Sequence, residues 1–258
     1  MFFHAQSPGL PTWTRAFRAS MIAAAVLAGA APVDASNFSI DRTRVELSKG
    51  HTSEVITILN RSTEPLRLQV TGFHWSQAAG EPMVLEPTDE IVYFPTVLQL
   101  EPGASRQVRV GYLGTPTSRE RTYRIILEEL PPAPTGPDNL VRVLTRLNVP
   151  VFVEAARPAP SPRLGAVARE GATVIVPVHN GGSSHVMIEA VAVSAVDAQG
   201  RRLFSEEVSG WYVLAESANV FNVALPAECG AAATFHISVR TAAQTLTTIL
   251  ERGDRPCK

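Results

Sequence analysis

"LVRVLTRLNVPVFV" (140–153) is the stretch whose reading decides the fold. Val141, Val143, Thr145, Leu147, Val149, Val151 and Val153 take its odd positions, and Arg142, Arg146 and Asn148 stand among the even ones. Alternation with period two puts one apolar face on an extended chain, because successive side chains of a strand point to opposite sides. The run is long for one strand and rich in β-branched residues, and it stops against the proline-rich "EAARPAPSPR" (154–163).

Upstream the same texture recurs. "SEVITILN" (53–60), "LRLQVTGFHW" (66–75), "RQVRVGYL" (106–113) and "TYRIILEEL" (122–130) alternate or run apolar, with Val, Ile, Tyr and Phe prominent. Turn-forming clusters separate them: "NRSTEP" (60–65), "QAAGEP" (77–82), "LEPGAS" (100–105) and "PPAPTGPDN" (131–139). No helical period competes, and short strands spaced by turns predict a sandwich. Downstream, "GATVIVPVHN" (171–180), "HVMIEAVAVSAVDAQG" (185–200), "ANVFNVALP" (218–226) and "ATFHISVR" (233–240) continue the pattern, with "DAQG" closing a hairpin. "VMIEAVAVSAV" carries helix-forming alanines, but it lacks a 3.6-residue period and reads as a strand. The expectation is an all-β chain of two sandwich domains, 36–153 and 164–258, joined by a stiff connector at 154–163.

Arg15 and Arg18 precede the apolar run "MIAAAVLAGAA" (21–31), and "VDA" (33–35) supplies the small residues of a cleavage site, so 1–35 reads as a secretory signal cut after Ala35. A retained anchor is the alternative, yet the run is short against the roughly 20 residues that span a bilayer. Export makes Cys229 and Cys257, the only two cysteines, a candidate disulfide, with two separate thiols as the other reading. A formal net charge of −1 leaves no footprint for nucleic acid or an anionic membrane. His51, His74, His179, His185 and His236 are scattered, "NGGSSH" (180–185) reads as a loop, and no nucleophile or phosphate-loop motif appears. Neither catalysis nor a cofactor or metal is expected.

"SIDRTRVEL" (39–47), "LEPGASRQVRV" (100–110), "RTYRIILEELPP" (121–132) and the opening stretch occur in an order and spacing that resemble the periplasmic chaperones of chaperone/usher pili. The likeness covers 36–163 well, and the second half only in length and β character. It implies two immunoglobulin-like sandwiches in a boomerang, in the periplasm, with pilin subunits and an outer-membrane usher as partners. The chaperone would lend a strand to a pilin that lacks one, through main-chain hydrogen bonds and alternate side chains. On that reading Val141, Val143, Leu147 and Val149 are the plugs and Thr145 a polar interruption; the plainer reading is a strand packing its own core. Arg44 matches the family's cleft arginine, which holds the subunit's C-terminal carboxylate, whereas otherwise it would be a surface arginine paired with Asp41 or Glu46. Where the family adds a lysine, Pro150 stands, and Arg146 or Arg142 is the replacement. Glu129 and Arg157 match a pair that sets the interdomain angle, and Pro95 a position where the family places a cis proline. A rival class is an exported two-sandwich adhesin or carbohydrate-binding module, although Trp75 and Trp211 lie in strand-like text rather than on an evident platform.

Overall fold

The computed structural model describes residues 38–78, 81–131, 143–251 and 257. The signal-like segment and Val141 and Arg142 lie outside these residues. Among them the chain is all-β, with one 3-10 turn at Ala227–Ala231.

Period-two alternation decides which faces meet. One sheet runs in the order β1 (Phe38–Ile40), β3 (Ser53–Asn60), β8 (Ser105–Tyr112), β6 (Ile91–Phe94). Its partner runs β2 (Val45–Leu47), β10 (Arg146–Val153), β9 (Arg121–Glu129), β4 (Leu66–Ala78), β5 (Glu81–Pro87), with β7 (Val97–Leu100) also paired to β4. Ile56, Ile58, Val108 and Val110 of the first sheet meet Leu68, Val70, Ile125, Leu127, Val149 and Val151 of the second in one buried core. The Phe94–Pro95 peptide bond between β6 and β7 is cis.

The second sandwich pairs β13 (Thr173–Asn180) with β11 (Pro162–Leu164), β12 (Ala168–Glu170) and β17 (Ser217–Ala224). Facing it stand β15 (Arg202–Ser209), β14 (Val186–Val196), β18 (Thr234–Thr241) and β19 (Thr245–Glu251), with β16 (Tyr212–Val213) also on β14. "VMIEAVAVSAV" is the strand β14, and the cause of its irregular alternation is visible. A register shift between Ile188 and Ala190 flips the faces, so Val186 and Ile188 point inward before it and Val191, Val193 and Ala195 after it. "DAQG" closes the β14–β15 hairpin: Asp197 Oδ1 accepts from Gln199 N and Arg201 N, both at 2.9 Å, and Gly200 supplies φ 76°. Cys229 is linked to Cys257 by a disulfide with a Cα–Cα distance of 5.9 Å, and both pack on this second core.

Both sandwiches end a central strand on a buried asparagine. The Nδ2 of Asn60 donates to Glu64 O and Leu100 O, and that of Asn180 donates to Ser184 O, Val213 O and Leu214 O. Each side chain thereby fixes the turn after its strand, which is the work an Asn does best with two donors and an acceptor.

At one end of the first sandwich, Tyr123 reaches out of the core to a carboxylate. Its hydroxyl donates to Glu90 Oε2 at 2.7 Å, and Arg121 Nη2 binds both Glu90 oxygens. The hydrogen bond from Tyr123, helped by Arg121, holds the Glu90 carboxyl below its usual range, and burial with the same bond pushes the Tyr123 phenol up. A carboxyl whose pKa is depressed on folding stabilises the fold above its unfolded value, about 4.3, and the gain disappears as pH falls through the folded value. Glu90→Gln is therefore expected to lower the melting temperature at pH 7, with the gap to the parent closing below about pH 4. Paired thermal melts across pH check this; a gap that is the same at both ends would refute it.

Candidate functional site

Strand β10 is paired unequally on its two sides. Against β9 it is antiparallel from Arg146↔Glu128 to Val153↔Arg121, but its other neighbour, β2, runs parallel beside Val151–Val153 alone. In an antiparallel pair each residue aims its N–H and C=O to the same side, so alternate residues serve opposite neighbours. Thr145 O accepts from Glu129 N at 2.9 Å, so odd residues face β9, and Glu154 N donates to Leu47 O at 2.8 Å, so even residues face the β2 side. Arg146 and Asn148 consequently turn both main-chain groups toward an edge where the described residues place no strand. Pro150 turns only a carbonyl there.

The opening stretch divides at this strand. Val143 precedes β10 and is 83% exposed, with Leu144 beside it at 44%. Leu147 is half-buried at the margin of the core. Val149 departs from the expectation of an outward plug: at 1% exposure it is a core residue of its own sandwich, opposite Ile125 on β9. Parity is the same for Val143 and Val149; the facing sheet closes over only the second.

The parallel register with β2 also places the arginines. Val151 stands beside Val45, so one step back Pro150 stands beside Arg44. Val45 and Leu47 point into the core, which leaves Arg44 and Glu46 on the outer face, their Nε and Oε1 atoms 3.0 Å apart. Arg146 lies four residues beyond Pro150, about 13 Å along the sheet at roughly 3.3 Å per residue. It is exposed and leans on Glu128, with Nε 3.9 Å from Oε2. The two arginines are thus held by separate carboxylates and do not converge.

A cleft opens next to Glu46, between the two sandwiches. Glu46, Glu120, Phe152, Glu154, Pro158 and His185 line it. Here the expected Glu129–Arg157 pair is corrected. Glu129 accepts from Thr145 N at 3.1 Å, while Arg157 has an exposed side chain and uses its carbonyl, which accepts from Ser183 Oγ at 2.8 Å; no ion pair joins the two among the described residues. Glu120 and His185 meet across the joint instead. Nδ1 of His185 lies 2.7 and 2.9 Å from the two carboxylate oxygens, and His185 N donates to Oε2 at 2.7 Å. The imidazole stacks on Phe152 at 3.8 Å. Arg119 and Glu216 pair at 2.6 Å on the surface, and Gln77 binds the second sandwich's backbone twice, donating to Tyr212 O (2.8 Å) and accepting from Leu214 N (2.9 Å).

A buried cation completes the joint. Arg124 is 2% exposed, with its guanidinium 3.7 Å from the ring of Trp75 and 5.4 Å from that of Trp211. Its Nε and Nη2 have no hydrogen-bond acceptor, and burial lowers its pKa to about 10. Two indole faces stand where a carboxylate usually would. Trp75 is fully buried and offers no open platform for a sugar, and Trp211, 38% exposed, stands beside the arginine. Sequence reading missed this joint; the only hints were "RER" (119–121) heading an otherwise apolar strand and the adjacent aromatics of "WY" (211–212).

Two packed β-sandwiches, the first ending in a strand with an open edge, define an immunoglobulin-like two-sandwich protein. Residues 37–159 match the family model described as pili and flagellar-assembly chaperone, PapD N-terminal domain. This segment is similar to that family. Among curated proteins none matches in sequence. Solved structures agree in fold. The CsuC–CsuE chaperone–tip adhesion subunit pre-assembly complex from the archaic Csu pili of Acinetobacter baumannii matches with a TM-score of 0.58 and 16% identity over 83% of this chain and 98% of that one. The SafB chaperone in complex with SafA pilin of Salmonella enterica gives 0.51 and 16% over 83% and 96%. The CupB2 chaperone of Pseudomonas aeruginosa gives 0.50 and 20% over 83% and 100%.

The joint yields a test. His185→Ala leaves the Glu120 carboxylate, whose side chain is 3% exposed, with only the backbone donor of residue 185. Stripping one partner from a buried pair is expected to cost about 3 kcal/mol. Trp75 and Trp211 both sit at the joint, so their emission should shift to the red as water enters. Melting and emission matching the parent's would show that Glu120 does not depend on His185.

Proposed function

We propose that this chain is a periplasmic chaperone that captures pilin subunits by lending them the open edge of β10 and passes them to an outer-membrane usher. One observation carries the reading: a strand whose outward main-chain groups at Arg146 and Asn148 meet no partner strand among the described residues, with exposed Val143 before them and Arg44 beyond. Native proteins usually blunt such an edge. An incoming strand would gain main-chain hydrogen bonds there, while Val143 and the exposed part of Leu147 fill the pockets of its groove. Val149 is left to the chaperone's own core.

The geometry favours one polarity. A strand added beside Arg146–Asn148 lies in line with β2, and if it runs parallel to β10, as β2 does, its C-terminal end meets Arg44. There a terminal carboxylate finds a planar fork of donors that keeps its charge. Run the other way, the strand would bring an amino terminus to an arginine, and like charges repel. Arg44 thus selects for a C-terminus, with Arg146 too far along the edge to share it.

The same reading takes 1–35 as the export signal, 36–153 and 164–258 as domains and 154–163 as their connector. It makes the protein a carrier, with pairing rather than bond chemistry as its work, and it asks for no cofactor.

The test starts from the subunit that co-purifies with the parent chain from periplasmic extract, identified by mass spectrometry. Val143→Asp is expected to melt like the parent and to lose capture, because it sets an unpaired carboxylate where the complex is dry. Val149→Asp is expected to unfold the free protein. A folded Val143→Asp variant that still captures the subunit would remove the proposal.

A further inference from the structure

We propose that Glu46 is a built-in competitor for Arg44, occupying the guanidinium until a partner's carboxylate displaces it; this rests on the reading of Arg44 as the carboxylate anchor. The two side chains lie two residues apart on the outer face of β2, with Nε and Oε1 at 3.0 Å and 52% and 60% of their side-chain surface exposed. Arg42, two residues before Arg44, is engaged elsewhere, 3.0 Å from Glu54 and 3.7 Å from Asp41. Glu46 stands beside Phe152, which lies under His185, and therefore sits between the anchor and the joint.

The consequence is an exchange rather than a simple gain. A subunit's carboxylate arriving at Arg44 replaces one ion pair with another, and an exposed pair of this kind contributes about 0–1 kcal/mol. Glu154 adds a second carboxylate to the cleft and Glu120 a third, while Arg44 does not line it and meets it only through Glu46. Capture is then held weak at the terminus and depends on the strand contacts, and release leaves no bare guanidinium behind because Glu46 returns to it. A cleft of this composition suits a chaperone that must let go.

The anchor can be probed without the natural subunit. N-acetyl-alanyl-alanine as its free acid, and the same dipeptide as its C-terminal amide, are titrated into the exported chain while the arginine Nε–Hε resonances are followed by NMR. The free acid is expected to shift the Arg44 resonance and the amide to leave it in place. Glu46→Gln should tighten the free acid by about two- to fivefold, the range corresponding to the removal of one exposed ion pair. Glu154→Gln removes a cleft carboxylate that has no arginine partner among the described residues, and it should change the affinity by less. Glu46→Gln with the parent's affinity, or matched by Glu154→Gln, overturns the competition while leaving the anchor intact. Free acid that shifts the Arg44→Gln variant's remaining resonances as it does the parent's, or that binds neither the parent nor Glu46→Gln, overturns the anchor itself.

Discussion

Every strand interior to a sheet has two sides to satisfy, and β10 satisfies one side along its length and the other for three residues. That inequality organises the first sandwich. Because β2 is short, the core is closed by Val149, Val151 and Val153 from β10 itself, which locks the strand's C-terminal half in place. Among the described residues its N-terminal half is then held by β9 alone, rigid enough to keep an extended shape and open enough to be paired. A longer β2 would bury the same main-chain groups and leave a finished sandwich with nothing to lend.

The joint solves a different problem. Where the two sandwiches meet, Trp75, Phe152 and Leu214 form an apolar cluster, with Leu85 and Tyr212 packed against it. Around it the chain spends polar groups that are costly to bury: a carboxylate on an imidazole, a glutamine bonded to passing backbone, and a guanidinium between indoles. The carboxylate and the glutamine each have a narrow range of geometries in which they are satisfied. Such a joint specifies an angle more sharply than an equal area of leucine would, since apolar surfaces slide where hydrogen bonds do not.

Much of the fold was legible because strand periodicity is written locally: Val, Ile and Leu at every second position predict the faces of β3, β4, β8 and β13 without knowledge of their partners. β14 was harder, and its bulge is the reason, since a shift at Ile188–Ala190 scrambles the alternation that a strand is recognised by. The site divided along the same line. Arg44 and Val143, singled out by the resemblance, are exposed, but the depth of Val149 depends on a facing sheet built from four separate strands between Phe38 and Tyr112. The joint was invisible for this reason too. His185 lies in a glycine–serine loop whose composition says only "turn", and its role appears when Phe152 and Glu120 arrive from another sandwich. Glu129 and Arg157 were transferred by position, yet it is Glu120, at the head of β9, that faces across.

Pro150 is the smallest feature of the edge and gives it a sense of length. The ladder that Arg146 and Asn148 offer loses its next donor at Pro150, beside which Arg44 brings β2 into the sheet. On the proposed reading a guest chain one residue too short would leave its terminal charge about 3.3 Å from where the guanidinium waits, and one residue too long would run into the start of β2. The edge is a ruler with a stop at one end, and what it measures is where another protein's chain comes to a finish.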